Sequence, residues 1–108
     1  MIDLKHLQTE VDKWQQRNFA PICPYQPLLG LQEEVGELAH AHLKQEQNIR
    51  GLWQEHQQAK KDAVGDILIY LAAYCAVNEV DLNSAAEETW LKVSQRDWKT
   101  DPKTGGKE

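Results

Sequence analysis

A chain of 108 residues forms one domain with one modest core, marginal in stability by itself, which leaves room for an oligomer. A net charge of −5 argues against a nucleic-acid-binding module, which needs a basic patch, although an acidic chain still binds polyphosphate when a divalent metal inverts the local charge. Cys23 and Cys75 lack CxxC or zinc spacing and read as thiols of a reducing compartment, a disulfide between them being the rarer alternative. The opening Met1-Ile2-Asp3-Leu4-Lys5 has no signal-peptide pattern, and no apolar run approaches the ~20 residues of a membrane span. A cytoplasmic protein without membrane or nucleic-acid partners is therefore expected.

Leu4, Leu7, Val11 and Trp14 recur at steps of three and four and predict an amphipathic helix, with Asp3 as its cap. Three prolines between Ala20 and Pro27 make a loop, Pro27 being suited to the first turn of the next helix. Leu28, Leu31, Val35, Leu38 and His42 carry a second helix to about Gln47, and Asn48 to Trp53, with Gly51, breaks it. A third helix is expected from Trp53 to Asn78. A fourth, capped by Asp81 or Asn83, should turn Ala85, Thr89 or Trp90, and Val93 inward and end near Trp98. No β-pattern is present. The fold class is all-α, an antiparallel four-helix bundle over residues 1–99, with residues 100–108 a flexible tail marked by Pro102, Gly105 and Gly106.

Residues 67–77 (ILIYLAAYCAV) hold no charge and are apolar around the whole circumference, so this stretch must be buried on all sides. Three short helices are few to surround it. A bundle completed by oligomerisation, as homodimer or homotetramer, is expected; burial at the centre of a monomer is the alternative.

The second helix carries Glu33, Glu34 and Glu37 in EEVGEL, and the third carries Asp62 and Asp66 in DAVGDI. The strings match position for position, so each helix sets two acids one turn apart on one face. Like charges at that spacing repel by a few tenths of a kcal/mol, and an interior glycine costs about 1 kcal/mol, yet both features occur twice. Close approach of the two helices at Gly36 and Gly65 would account for them and would gather the acids. Gly30, Glu34, Glu37 and Ala41 form a second stripe beside the leucines, which reads as a packed face. Carboxylates gathered there cannot all ionise without a cation, and oxygen-only ligation selects Mg²⁺ or, as a substitute, Mn²⁺. Taken singly, each glutamate also fits an ordinary solvated face.

These residues resemble the MazG-type nucleotide pyrophosphohydrolases, whose signature is EExxE on one helix and ExxD on the next. Glu33, Glu34 and Glu37 match the first half and Asp66 ends the second, but Ala63 stands where the family usually has glutamate. The likeness extends to Arg17-Asn18-Phe19, to Leu28-Leu29-Gly30-Leu31, to the run from Asp66 to Leu71, and to Trp90 through Trp98. It implies Mg²⁺-dependent hydrolysis of a nucleoside triphosphate between its α and β phosphates, with Glu34, Glu37 and Asp66 as metal ligands. Asp62 is the candidate substitute for the glutamate missing at 63, and Glu33 a candidate to orient or deprotonate the attacking water. Lys92 and Arg96, one turn apart on the fourth helix, are spaced to hold phosphates or else to satisfy the helix dipole. Asn18 and Phe19 can read and stack a base and Trp53 can cover it, core packing being the other role open to the aromatics.

A di-iron carboxylate bundle would need two ExxH motifs, and only Glu37-Leu38-Ala39-His40 is present. A non-catalytic helical interaction domain would explain the apolar third helix but not the matched acid–glycine strings.

Overall fold

The computed structural model describes residues 3–106, and among them it is helical without strands. The helices are α1 (Leu4–Phe19), α2 (Gln26–Gln47), α3 (Trp53–Val77) and α4 (Leu82–Val93). Their starts follow the capping chemistry in the sequence. Asp3 accepts from the backbone N–H of His6 at 2.7 Å, and Asp81, not Asn83, accepts from that of Ser84 at 3.0 Å. Pro27 lies in the first turn of α2, where a missing N–H costs nothing. The break after α2 uses left-handed backbone at Asn48 and Arg50 (φ 58° and 65°), then Gly51 at φ 153°. The His56 ring Nε2–H donates to the Ile49 carbonyl at 3.0 Å and pins this turn to the first turns of α3.

α2 and α3 form the main antiparallel hairpin, α1 packs on α3, and α4 rests chiefly on α1. The core joins Val11 of α1, Ala72, Ala73 and Cys75 of α3, and Leu82 at the start of α4. Buried glutamine tightens it: Gln15 donates to the Ala73 carbonyl at 3.1 Å. Gln8 grips the α3–α4 connection with both ends of its amide, donating to the Val80 carbonyl at 2.8 Å and accepting from the Leu82 N–H at 2.9 Å. Asn78 ties the proline loop down by donating to the Pro24 carbonyl at 2.9 Å. Both cysteines are free, Cys23 exposed and Cys75 buried. No single helix is long and apolar enough to cross a membrane.

Three expectations are corrected. α4 stops at Val93, short of Trp98, and its supposed inward stripe of Ala85, Thr89, Trp90 and Val93 is exposed; the helix leaves α3 at 109° and is held by its first turn. Residues 97–106 are folded into turns, and Lys107 and Glu108, the end of the expected tail, lie outside the described residues. Asp97-Trp98-Lys99-Thr100 and Asp101-Pro102-Lys103-Thr104 repeat one pattern, and each aspartate accepts from the backbone N–H and the hydroxyl of its own threonine. The backbone N–H of Asp97 then closes on the Gly105 carbonyl at 2.8 Å. Finally, α3 is not enclosed within the single chain: Val64 is 56% exposed and Leu68 38%.

Candidate functional site

The register of the α2–α3 hairpin determines which acids meet. Gly30 lies against the ring of Tyr70, Glu34 faces Asp66, and the Gln45 amide donates to the Gln57 side chain at 3.0 Å. Each step forward on α2 is a step back on α3. The stripe of Gly30, Glu34 and Ala41 is therefore the face turned to α3, as its small residues imply, with Ala41 buried. The close approach itself occurs at Gly30, where an added Cβ would stand 2.6 Å from Tyr70 Cδ1. Gly36 and Gly65, expected to provide it, both face open space.

Among the described residues Glu34 is the one carboxyl group whose pKa is raised. Loss of water around it raises its pKa first, then the charges of Asp66, Glu37 and Glu33, and lastly a hydrogen bond shared with the Asp66 carboxyl. Among the described residues neither Glu34 nor Asp66 has an ion-pair partner; the pairs present are Lys13–Glu10 at 3.1 Å and His42–Glu46 at 3.5 Å. Ala63, buried, lies level with Glu37 by the same register, so the missing family glutamate would have joined this group. Asp62 does not act on Glu34; it is exposed and accepts from the Gln58 amide of its own helix at 2.9 Å.

Glu34 and Asp66 open onto a cavity of about 480 Å³ that α1 completes with Glu10, Val11 and Trp14. Trp14, Ile69 and Tyr70 also wall a neighbouring pocket of about 220 Å³, which reaches Phe19 and Gly30. There Trp14 and Phe19 stand edge to face, ring centroids 5.4 Å apart. A larger cavity of about 610 Å³ lies elsewhere, between α1 and the α3–α4 connection, but Lys5 and Lys13 there offset most of the charge of Asp12, Glu79 and Asp81. Uncompensated charge singles out the smaller one.

A model of the MazG nucleotide pyrophosphohydrolase domain matches residues 25–100, well over half of the chain. The chain belongs to this family. No curated protein and no solved structure matches it. The MazG match begins after α1, so the helix that supplies Trp14 and Phe19 to the pocket lies outside it.

The MazG signature acids fall on α2 and α3 as the resemblance implied. The structure brings together Glu34 and Asp66, with Glu37 and Glu33 near enough to act on Glu34 through their charge. As the side chains stand, no three of His, Cys, Asp or Glu among the described residues converge as a metal-holding group. The donor chemistry nevertheless fits a hard divalent ion, for it is oxygen-only, and Glu34 and Asp66 are unpaired with any basic side chain among the described residues.

Of the other candidates, Phe19 lines the aromatic pocket, while the Asn18 amide donates to the Trp14 carbonyl at 2.8 Å on its own helix. Trp53 is 60% exposed and sits thirteen residues, about 20 Å, along α3 from Asp66. Lys92 is exposed on α4, and Arg96 lies beyond that helix, packed against Gly105, so the two do not share a helical face. None of these three lines the carboxylate cavity. Glu10, Trp14 and Tyr70 escaped the sequence reading as lining residues. Glu10 and Trp14 are one turn apart on α1, a spacing that places them together once α1 is known to cross the acid pair.

Proposed function

We propose that the chain is a metal-dependent nucleoside triphosphate pyrophosphohydrolase, releasing monophosphate and pyrophosphate at the carboxylates between α2 and α3. The observation that carries this reading is the Glu34–Asp66 pair: two acids held face to face without a basic partner, Glu34 partly stripped of water, in a MazG-family chain. Two facing carboxylates repel unless a proton or a bound cation neutralises them.

In this reading Glu34 and Asp66 hold Mg²⁺, or Mn²⁺ in its place, and Glu37, one turn on from Glu34, swings in as a third ligand. The ion, when bound, offsets charge on the phosphate oxygens and acidifies a bound water. Glu33 orients or deprotonates the attacking water. Phe19 and Trp14 offer flat apolar walls to the base, beside the acids and outside the polyphosphate path. Within one chain Lys92, Arg96 and Trp53 take no part.

The test is product analysis over canonical and modified NTPs and dNTPs, with Mg²⁺, with Mn²⁺ and with EDTA. Metal-dependent monophosphate and pyrophosphate in equal amounts, abolished by Asp66→Ala, is the expected result. A folded protein without turnover on any nucleotide would favour the other reading, a helical interaction domain, for which the exposed apolar side chains of α2 and α3 speak.

A further inference from the structure

We propose that Gln15 is a specificity-determining residue, selecting a nucleobase that carries an amino group at the position farthest from its sugar, as cytosine and adenine do. The inference rests on the nucleotide reading above and concerns the pocket of about 220 Å³, not the acids. Gln15 lines that pocket beside the apolar walls of Trp14, Phe19, Ile69 and Ala73, and only 3% of it is exposed. Its helix, α1, lies outside the segment that the MazG model matches.

The Gln15 amide is fixed by what it touches. Nε2 donates to the Ala73 carbonyl at 3.1 Å and to the Asp12 carboxylate at 3.0 Å. Both partners only accept, so the nitrogen must face them and both of its hydrogens are used. Turning the amide over would set its oxygen against a carbonyl and a carboxylate. Oε1 accepts from no donor among the described residues. Yet no side-chain nitrogen or oxygen without a partner is sealed from solvent among them. Oε1 therefore meets accessible space, and at Gln15 that space is the pocket. A hydrogen-bond acceptor is thus held in place, unused, within apolar walls.

Position decides which part of a base meets it. Ala73, the partner of Gln15, lies seven residues, about 10 Å, along α3 from Asp66. With the phosphates at the acids, a sugar and one base ring span that separation, and the substituent farthest from the sugar reaches Gln15. On cytosine and adenine this substituent is an amino donor; on uracil, thymine and guanine it is a carbonyl acceptor. An oxygen locked in a pocket with little water accepts from the first and repels the second. Gln26 supplies the complementary group at the exposed side of the pocket. Its Oε1 accepts from the Cys23 N–H at 3.0 Å, which leaves its Nε2 hydrogens for a ring nitrogen or carbonyl of the base.

The test is steady-state kinetics on the whole chain with dCTP against dUTP and ATP against ITP, pairs that exchange an amino for an oxo group. Whichever ring size the pocket admits, kcat/KM is higher for the amino member by about tenfold or more, mainly through KM. Gln15→Met, similar in length but without the amide oxygen, brings that ratio close to one, with circular dichroism to confirm retained helix. A Gln15 that only braced α1 against α3 would lower both members alike and leave the ratio unchanged. Calorimetric titration of the α,β-methylene analogues of dCTP and dUTP into wild type with Mg²⁺ reads the same preference without turnover. A preference of about tenfold there, in a protein that hydrolyses no nucleotide, would keep the base site and reject the pyrophosphohydrolase reading. Equal constants for amino and oxo members, a preference for the oxo member, or a wild-type ratio in Gln15→Met overturns the inference. Absence of both turnover and analogue binding overturns it as well.

Discussion

Glu34 keeps its proton to a higher pH than an ordinary glutamate because folding strips it of water and then surrounds it with Asp66, Glu37 and Glu33. A folded-state pKa raised above the unfolded value means that the native state binds this proton the more tightly. The stability so gained is fully present below the unfolded value, near 4.5, and is lost as pH rises through the folded one. In EDTA, the Tm of wild type relative to Glu34→Gln should therefore fall as pH rises above about 4.5, as thermal melts at each pH would show. A difference that stays flat would mean that Glu34 is not perturbed. Asp97 and Asp101 act in the opposite sense. Hydrogen bonds from Thr100 and Thr104 lower their pKa values, so their contribution is present at neutral pH and lost on acidification. The glutamine variant cancels that background.

At the scale of helices, three glycines in similar sequence settings have different surroundings. Gly30→Ala drives a methyl into the Tyr70 ring and should destabilise by about 1–3 kcal/mol, whereas Gly36→Ala and Gly65→Ala meet open space and should stabilise by about 0.5–1 kcal/mol each. Urea denaturation of the three variants checks the ordering, and equal losses at all three would contradict the packing described. The matched acid–glycine strings pointed to the right pair of helices but to the wrong glycines, since periodicity gives a face and not the depth of contact. The four helices were legible from Asp3, Pro27, Asn48, Gly51 and Asp81, because capping is local chemistry. The end of α4 was not. Its apolar positions suit burial, but α3 turns it away at 109°, a tertiary outcome that no local pattern carries. The twin Asp-x-Lys-Thr turns were readable and went unread, because Pro102 and two glycines looked like slack chain. At the site, Glu34 and Asp66 were visible from spacing, while the contributions of Glu10, Trp14 and Tyr70 depend on α1 crossing the hairpin.

Over the whole molecule, the α2–α3 hairpin separates two tasks. Its α1-facing side carries the acids and the cavities, and its outer side carries aliphatic surface. The central claim, that Glu34 and Asp66 form a cation site, is tested most directly by calorimetric titration of Mn²⁺ into the folded chain at neutral pH, without nucleotide. Saturable binding, lost in Asp66→Ala and Glu34→Gln and kept in Asp62→Ala, is the predicted result. Binding that survives both Asp66→Ala and Glu34→Gln, or no binding to a wild type whose helices are intact, would contradict it.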